Sequence, residues 1–317
     1  MRRQPCNFVH ASLWFRLMGE AVALGVMPVF KKGCADNPRH VRALAEMLEA
    51  EGVESIWAVE HVVVAKDYEP RYSYSASGRM GGSPDTQMPD PLEYLSFVAA
   101  CTERLLLGTA VVVATLHQPA ILAKRVATLD ALSNGRVRLG VGSGWQVEEY
   151  AACGVPFEKR GARLDETIIA MRELWQPGYR TYVSDRYAFR DVDTTILPAQ
   201  PGGPPIIIGG SSDAAARRTG RLGDGFFPYV IGPDDLAVRI ETIRATALEH
   251  HRDPDAIEIT AWPGCWQPGA SLDVPTMRRY AELGCRRLVV SVQESGSTEI
   301  SAIRDFVRRV QDTINQL

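Results

Sequence analysis

The chain has no uninterrupted apolar run of the about 20 residues needed to cross a bilayer. Its opening, MRRQPCNFVHASLWFRLMGEAVALGVM, resembles a secretory leader only superficially. His10, Arg16 and Glu20 interrupt it, and no small-residue cleavage site follows. Residues 1–17 are therefore expected to be a disordered extension, or an upstream start ahead of Met18. Cysteine is sparse: Cys6, Cys34, Cys101, Cys153, Cys265 and Cys285 include no C-x-x-C pair, which argues against a zinc site or a disulfide framework. Thiols scattered in this way fit a reducing cytoplasm. No H-E-x-x-H, Walker or clustered-carboxylate pattern is present, so no metal ligands are expected. A formal charge of −3 makes no electrostatic case for nucleic acid or an acidic membrane surface. A small-molecule partner is the remaining expectation.

What the chain does have is apolar content, at 45%, and a rhythm. Short β-rich runs recur at 22–27, 55–60, 105–113, 136–142, 204–210, 225–230, 257–262 and 286–292. Most are solid Val/Ile/Leu/Phe blocks rather than strict alternations, the composition of strands covered on both faces. Helical spacing fills the intervals at 40–52, 91–103, 119–135, 160–175, 212–220, 233–251 and 274–284, with a last helix at 298–317. About eight strand–helix units close a (β/α)8 barrel, whereas a doubly wound sheet usually stops sooner. The expectation is one TIM-barrel domain over 18–317. Two stretches break the rhythm. The aromatic, turn-rich segment at about 177–203 reads as a small β-hairpin insertion after the fourth helix, and Lys66–Pro89 is a long irregular loop of the kind that binds or covers ligands.

In such barrels chemistry sits at the C-terminal ends of the strands. That rule selects Glu60 and His61 after strand two, and Thr115 and His117 after strand three. It also selects Gly142, Ser143, Gly144 and Trp145 after strand four, leading to Glu148, Glu149 and Tyr150, and Gly209, Gly210, Ser211 and Ser212 after strand five. His61 is a candidate acid/base because imidazole titrates near neutrality; His117 has the weaker claim. Gly209–Ser212 opens a helix and is either an anion cradle or an ordinary Gly-rich turn with a serine cap. GVGSGW spaces its glycines as G-x-G-x-G, which is not the dinucleotide fingerprint, and Ser143 does not stand in a nucleophile elbow. The stretch reads as a strand whose bare backbone admits a flat ligand, or as glycine used for rim packing. Trp57 and Trp145 could wall such a ligand, with Tyr150 beside them.

These residues together resemble the luciferase-like monooxygenase family of flavin- and deazaflavin-dependent oxidoreductases, from Val22 onward. The resemblance is most specific in HQPAILAKRVATLDALSNGRVRLGVGSGWQVEEYAACGVPFEKRGARLDETIIAMRELW (117–175), supported by VEH at 59–61 and PPIIIGGSSDAAARRTGRLGDGF at 204–226. The pattern is closer to the branch using coenzyme F420, an 8-hydroxy-5-deazaflavin, than to the FMN branch. The resemblance implies hydride transfer between F420 and a small organic substrate. It places catalysis at His61, with Glu60 orienting it, and a non-prolyl cis peptide at Ala110–Val111. Thr109, Ala110, Val111, Gly142, Ser143 and Gly144 would surround the ring, and Gly209, Gly210 and Ser211 would hold the tail phosphate. Sugar-phosphate dehydrogenases of the family carry a glutamate where Trp145 stands and a lysine after strand six, and this chain has neither. An apolar or aromatic substrate is therefore expected, in a pocket that includes Trp57, Trp145 and Tyr150. The alternatives are an FMNH2-dependent monooxygenase acting with oxygen, and a flavin-binding barrel without turnover. The family is often homodimeric.

Overall fold

The computed structural model describes residues 22–81, 85–263 and 272–317. The expected N-terminal extension lies outside the described residues, as do Cys6 and Cys265. The first half of the fold comprises β1 (Ala23–Met27), α1 (Pro38–Ala50), β2 (Ser55–Ala58), α2 (Pro91–Ala99), β3 (Leu106–Thr109), α3 (Pro119–Leu132) and β4 (Val137–Val141). It continues with α4 (Val147–Ala152), α5 (Arg160–Leu174), the hairpin β5 (Arg180–Val183) and β6 (Ala188–Val192), then β7 (Ile206–Gly209) and α6 (Asp213–Leu222). The remaining elements are β8 (Gly225–Phe227), α7 (Pro233–Glu249), β9 (Glu258–Ala261), α8 (Val274–Glu282), β10 (Arg287–Ser291) and α9 (Ile300–Ile314).

Eight strands close a barrel in the order β1-β10-β9-β8-β7-β4-β3-β2, every adjacent pair parallel. β5 and β6 form a separate antiparallel pair, the expected insertion. Helix starts follow a repeated local device. Asn37, Asp90 and Asp273 each accept backbone N–H bonds in the first turn, with a proline at N1 or N2 whose missing N–H costs nothing there. α3 stops at Asn134 and Gly135, both with positive φ. One departure from the sequence reading follows β4: a short helix, α4, begins at Val147 where only a loop is expected.

The core has two compartments. A large cluster lies between helices and strands, and a smaller one fills the barrel: Met27, Trp57, Ile207, Phe227, Trp262 and Val289. Trp57 is therefore core, not a pocket wall, which corrects the sequence reading. It is wholly buried, its Nε1 donates to Ser55 Oγ at 2.8 Å, and its ring meets Phe227 edge-on at 5.1 Å. Gly25 and Gly108 make room for it, since a Cβ on either would come within 2.7 and 2.3 Å of the indole. Below it, buried Arg287 pairs with Glu54 and Glu258 and lies 5.4 Å from the Trp57 ring, so the barrel floor is charged but internally paired. No helix among the described residues is long and apolar enough to cross a membrane.

Candidate active site at the barrel mouth

The glycines of GVGSGW make way for protein, not first of all for a ligand. After β3 the chain bulges, with a cis peptide at Ala110–Val111 as the resemblance implied. The Val111 side chain projects toward β4 and β7, where a Cβ on Gly142 would stand 2.7 Å from Val111 Cγ2 and one on Gly209 2.6 Å from Val111 Cγ1. Gly144, at φ +62°, likewise yields to Val113 at 2.7 Å. All three distances are well inside the 3.5–4.0 Å of an ordinary carbon contact. Thr109 is corrected too: it is fully buried and its hydroxyl donates to the Gly140 carbonyl at 2.6 Å, bracing β3 on β4 instead of facing a ligand. Tyr150 is a brace of the same kind. It is wholly buried, with its hydroxyl between Thr115 Oγ1 and the Ser143 carbonyl, so it does not line a pocket.

Two glutamate–histidine pairs stand at the rim, and their partners are crossed relative to expectation. Glu60 does not touch His61. Its Oε1 bonds His117 Nε2 at 2.9 Å, while Oε2 accepts the Val113 N–H at 2.6 Å, tying the β3 bulge to the end of β2. His61 Nδ1 instead meets Glu149 Oε2 at 3.1 Å, and Glu149 Oε1 accepts the Val62 N–H at 2.6 Å. The physical reason lies in strand geometry: adjacent residues leaving a strand project to opposite sides, so a glutamate next to a histidine in sequence is badly placed to orient it. The two pairs lie close enough that the Cys153 thiol is pushed up first by burial and then by the charges of Glu149 and Glu60.

Residues 65–81 of the loop after β2 fold over this rim. Their backbone is pinned to α4 and its N-cap through Ala65 N–H to Gln146 Oε1 at 3.3 Å and Glu69 N–H to Glu148 Oε1 at 3.0 Å. Trp145 is the hub of a ring cluster, edge-on to His61 at 5.9 Å and to Tyr68 at 5.2 Å, and 5.0 Å from Tyr72. Tyr72 continues to Tyr74 and Tyr229, and Tyr229 to Trp262 after β9. Burial and the Tyr229 hydroxyl hold the Tyr72 phenol far above its ordinary value, so it is a neutral hydrogen-bonding group. At the far side the Tyr74 hydroxyl accepts the Ser211 N–H at 3.3 Å, and Ser211 Oγ donates to the Tyr229 carbonyl. The rings thus join His61 and Gly209–Ser211 across one mouth. The sequence alone does not single out Tyr229 and Trp262, although the strand-end rule reaches both through GFFPYV and IEITAW.

Comparison with known proteins fits this architecture. The luciferase-like monooxygenase family model matches residues 13–265. The chain belongs to that family. Among its relatives, an uncharacterised protein of Mycobacterium tuberculosis is 33% identical over 210 residues, covering 64% of this chain and 71% of its own. An F420-dependent glucose-6-phosphate dehydrogenase of Mycolicibacterium smegmatis is 32% identical over 229 residues, covering 70% of this chain and 62% of its own. Among solved structures, an F420-dependent secondary alcohol dehydrogenase holding an F420–acetone adduct superposes with TM-score 0.72 at 18% identity, over 93% of this chain and 99% of its own. A monooxygenase from Streptomyces bottropensis superposes with TM-score 0.62 at 21% identity, over 91% and 89%. The structural likenesses show the fold, a closed parallel (β/α)8 barrel.

Proposed function

We propose that this barrel is an F420-dependent oxidoreductase acting on a small apolar or aromatic substrate, with His61 handling the proton. The observation that carries the reading is the convergence, at one mouth, of a rim histidine and the N-terminus of α6 behind Gly209–Ser211. The residues present fit the tail of such a cofactor. Gly210 holds φ +99°, where a Cβ would meet nothing closer than 3.6 Å, and the neighbouring Ser211 N–H already faces an oxygen, that of Tyr74. The start of α6 adds its dipole, although Ser212 Oγ already caps the Ala215 N–H at 3.2 Å, and the charge of Asp213 is countered by Arg217 at 2.8 Å and Arg239 at 3.9 Å. Ala110, Val111 and Gly142 would back the ring, with Ser143 and Gly144 beside it.

When bound, F420 supplies or takes up a hydride, and the protein's part is to orient, dry and balance charge. His61 gives or takes the accompanying proton. Trp145 and Tyr229, backed by the buried rings of Tyr72 and Trp262, offer aromatic faces to the substrate, which favours an apolar or aromatic compound. The relatives named for glucose 6-phosphate do not transfer their substrate to this chain, because Trp145 stands where the sugar-phosphate enzymes are expected to carry a glutamate.

Anaerobic titration of the full-length protein with F420 and with FMN, followed by tryptophan fluorescence, tests the cofactor. Preference for F420, and consumption of its reduced form with an apolar or aromatic carbonyl panel, is expected. Tighter FMN binding with oxygen uptake would replace this reading by the monooxygenase one. Binding without turnover, unchanged in His61→Gln, would make it a carrier.

A further inference from the structure

We infer that Glu149 is the positioning residue of His61, and that it holds the ring in the tautomer whose Nε2 is the working nitrogen. The inference rests on the reading of His61 as the proton-handling group. Glu149 comes from α4, and 88 positions separate it from His61. Its side chain is 1% exposed, against 12% for that of His61. Its two oxygens grip consecutive parts of one dipeptide: Oε2 the imidazole Nδ1, Oε1 the Val62 N–H. A carboxylate only accepts, so the proton between Oε2 and Nδ1 belongs to Nδ1. The backbone bond from Val62 keeps Glu149 from swinging away when the imidazole moves. Nε2 has no protein partner among the described residues. A charged His61 therefore donates from Nε2, and the neutral ring left behind accepts there, so both directions of transfer use the same atom. A histidine held through Nδ1 by a buried carboxylate is the arrangement by which an imidazole is oriented in general acid–base sites.

Glu60 has a different task. Both its oxygens are spent on the β3 bulge, through His117 and Val113 N–H, and neither reaches His61. It shapes the mouth without setting the tautomer.

Long-range ¹H–¹⁵N spectra of the full-length protein, without cofactor and at a pH where His61 is neutral, read the tautomer directly. The expected wild-type signature is a protonated Nδ1 and a bare Nε2. Glu149→Gln keeps the size and one acceptor, and should shift His61 toward the Nε2–H form. Glu60→Gln should leave the His61 pattern as it is. Turnover in Glu149→Gln should fall by about 10²-fold, within the range attributed to general acid–base groups, with cofactor affinity unchanged. A wild-type His61 protonated on Nε2, or a Glu60→Gln variant that moves the tautomer as far as Glu149→Gln, would overturn the inference. If Glu149→Gln does not fold, the wild-type and Glu60→Gln spectra still decide it. The tautomer is read without cofactor, so failure of the F420 assignment is seen separately, in the titration.

Discussion

Gly209→Ala puts the packing account of the rim glycines at risk. The added methyl would lie 2.6 Å from Val111 Cγ1, about 1 Å short of an ordinary carbon contact. Val111 is β-branched and stiff at χ1, so one of two neighbouring backbones must move. Overpacking of this kind costs about 1–3 kcal/mol. Gly209 is not among the positive-φ residues, so the reduced freedom of the unfolded chain returns about 0.4–1 kcal/mol. The net loss is about 1–2 kcal/mol, or a Tm lowered by about 1.5–3 °C for a chain of this size. Removing both Cγ atoms with Val111→Ala deletes the obstacle, while costing about 0.5–1.5 kcal/mol by itself for the lost methyls. In the double variant the Gly209→Ala penalty should vanish, giving a coupling of about 1–2 kcal/mol in a urea-unfolding cycle. A neutral Gly209→Ala, or a penalty of equal size with and without the Val111 side chain, would refute the reasoning. A glycine kept only for a ligand would instead show unchanged stability and lost cofactor binding.

Three other outcomes are expected. Arg287→Met strands Glu54 and Glu258 at the barrel floor and should cost about 3–5 kcal/mol in chemical denaturation, since one partner of a buried pair is removed; a loss below 1 kcal/mol would mean the floor is solvated. Burial acts to raise the Glu49 carboxyl, but the N–H groups of Arg104, Leu105 and Glu103 outweigh it and hold it below its ordinary 4.5. Its contribution is therefore present above that pH and lost as pH falls through the lower folded value. The gap between wild type and Glu49→Gln should shrink in acid, and a pH-independent gap would contradict this. Tyr74→Phe removes the hydroxyl that occupies the Ser211 N–H and should tighten binding of a phosphate-tailed cofactor by about two- to tenfold, measured calorimetrically, the worth of one neutral hydrogen bond; weaker binding would show that the hydroxyl assists the ligand.

The barrel was legible because its signals are local. Blocks such as PPIIIGG and RRLVVSV are too short for helices and rich in β-branched residues, which marks them as strands covered on both faces, and the cap–proline pairs Asn37–Pro38 and Asp90–Pro91 start helices through contacts within one turn. Position at a strand end was enough to single out His61, Trp145 and Gly210. It was not enough for Thr109, Tyr150 and Trp57. Each is a residue type equally suited to a ligand or to a core, and only its neighbours distinguish the two: the Gly140 carbonyl, the Thr115 hydroxyl, and Gly25 and Gly108.

By itself the amino-acid order determined the number of strand–helix units, the hairpin insertion and the rim from which the candidate residues rise. Those properties depend on residues a few positions apart. Only the closed barrel decided that His61 answers to Glu149 and Glu60 to His117, and that Gly142 and Gly209, at the ends of β4 and β7, yield to Val111. Each of those contacts spans tens of residues of chain, and its partner is chosen by the direction in which a side chain leaves its strand.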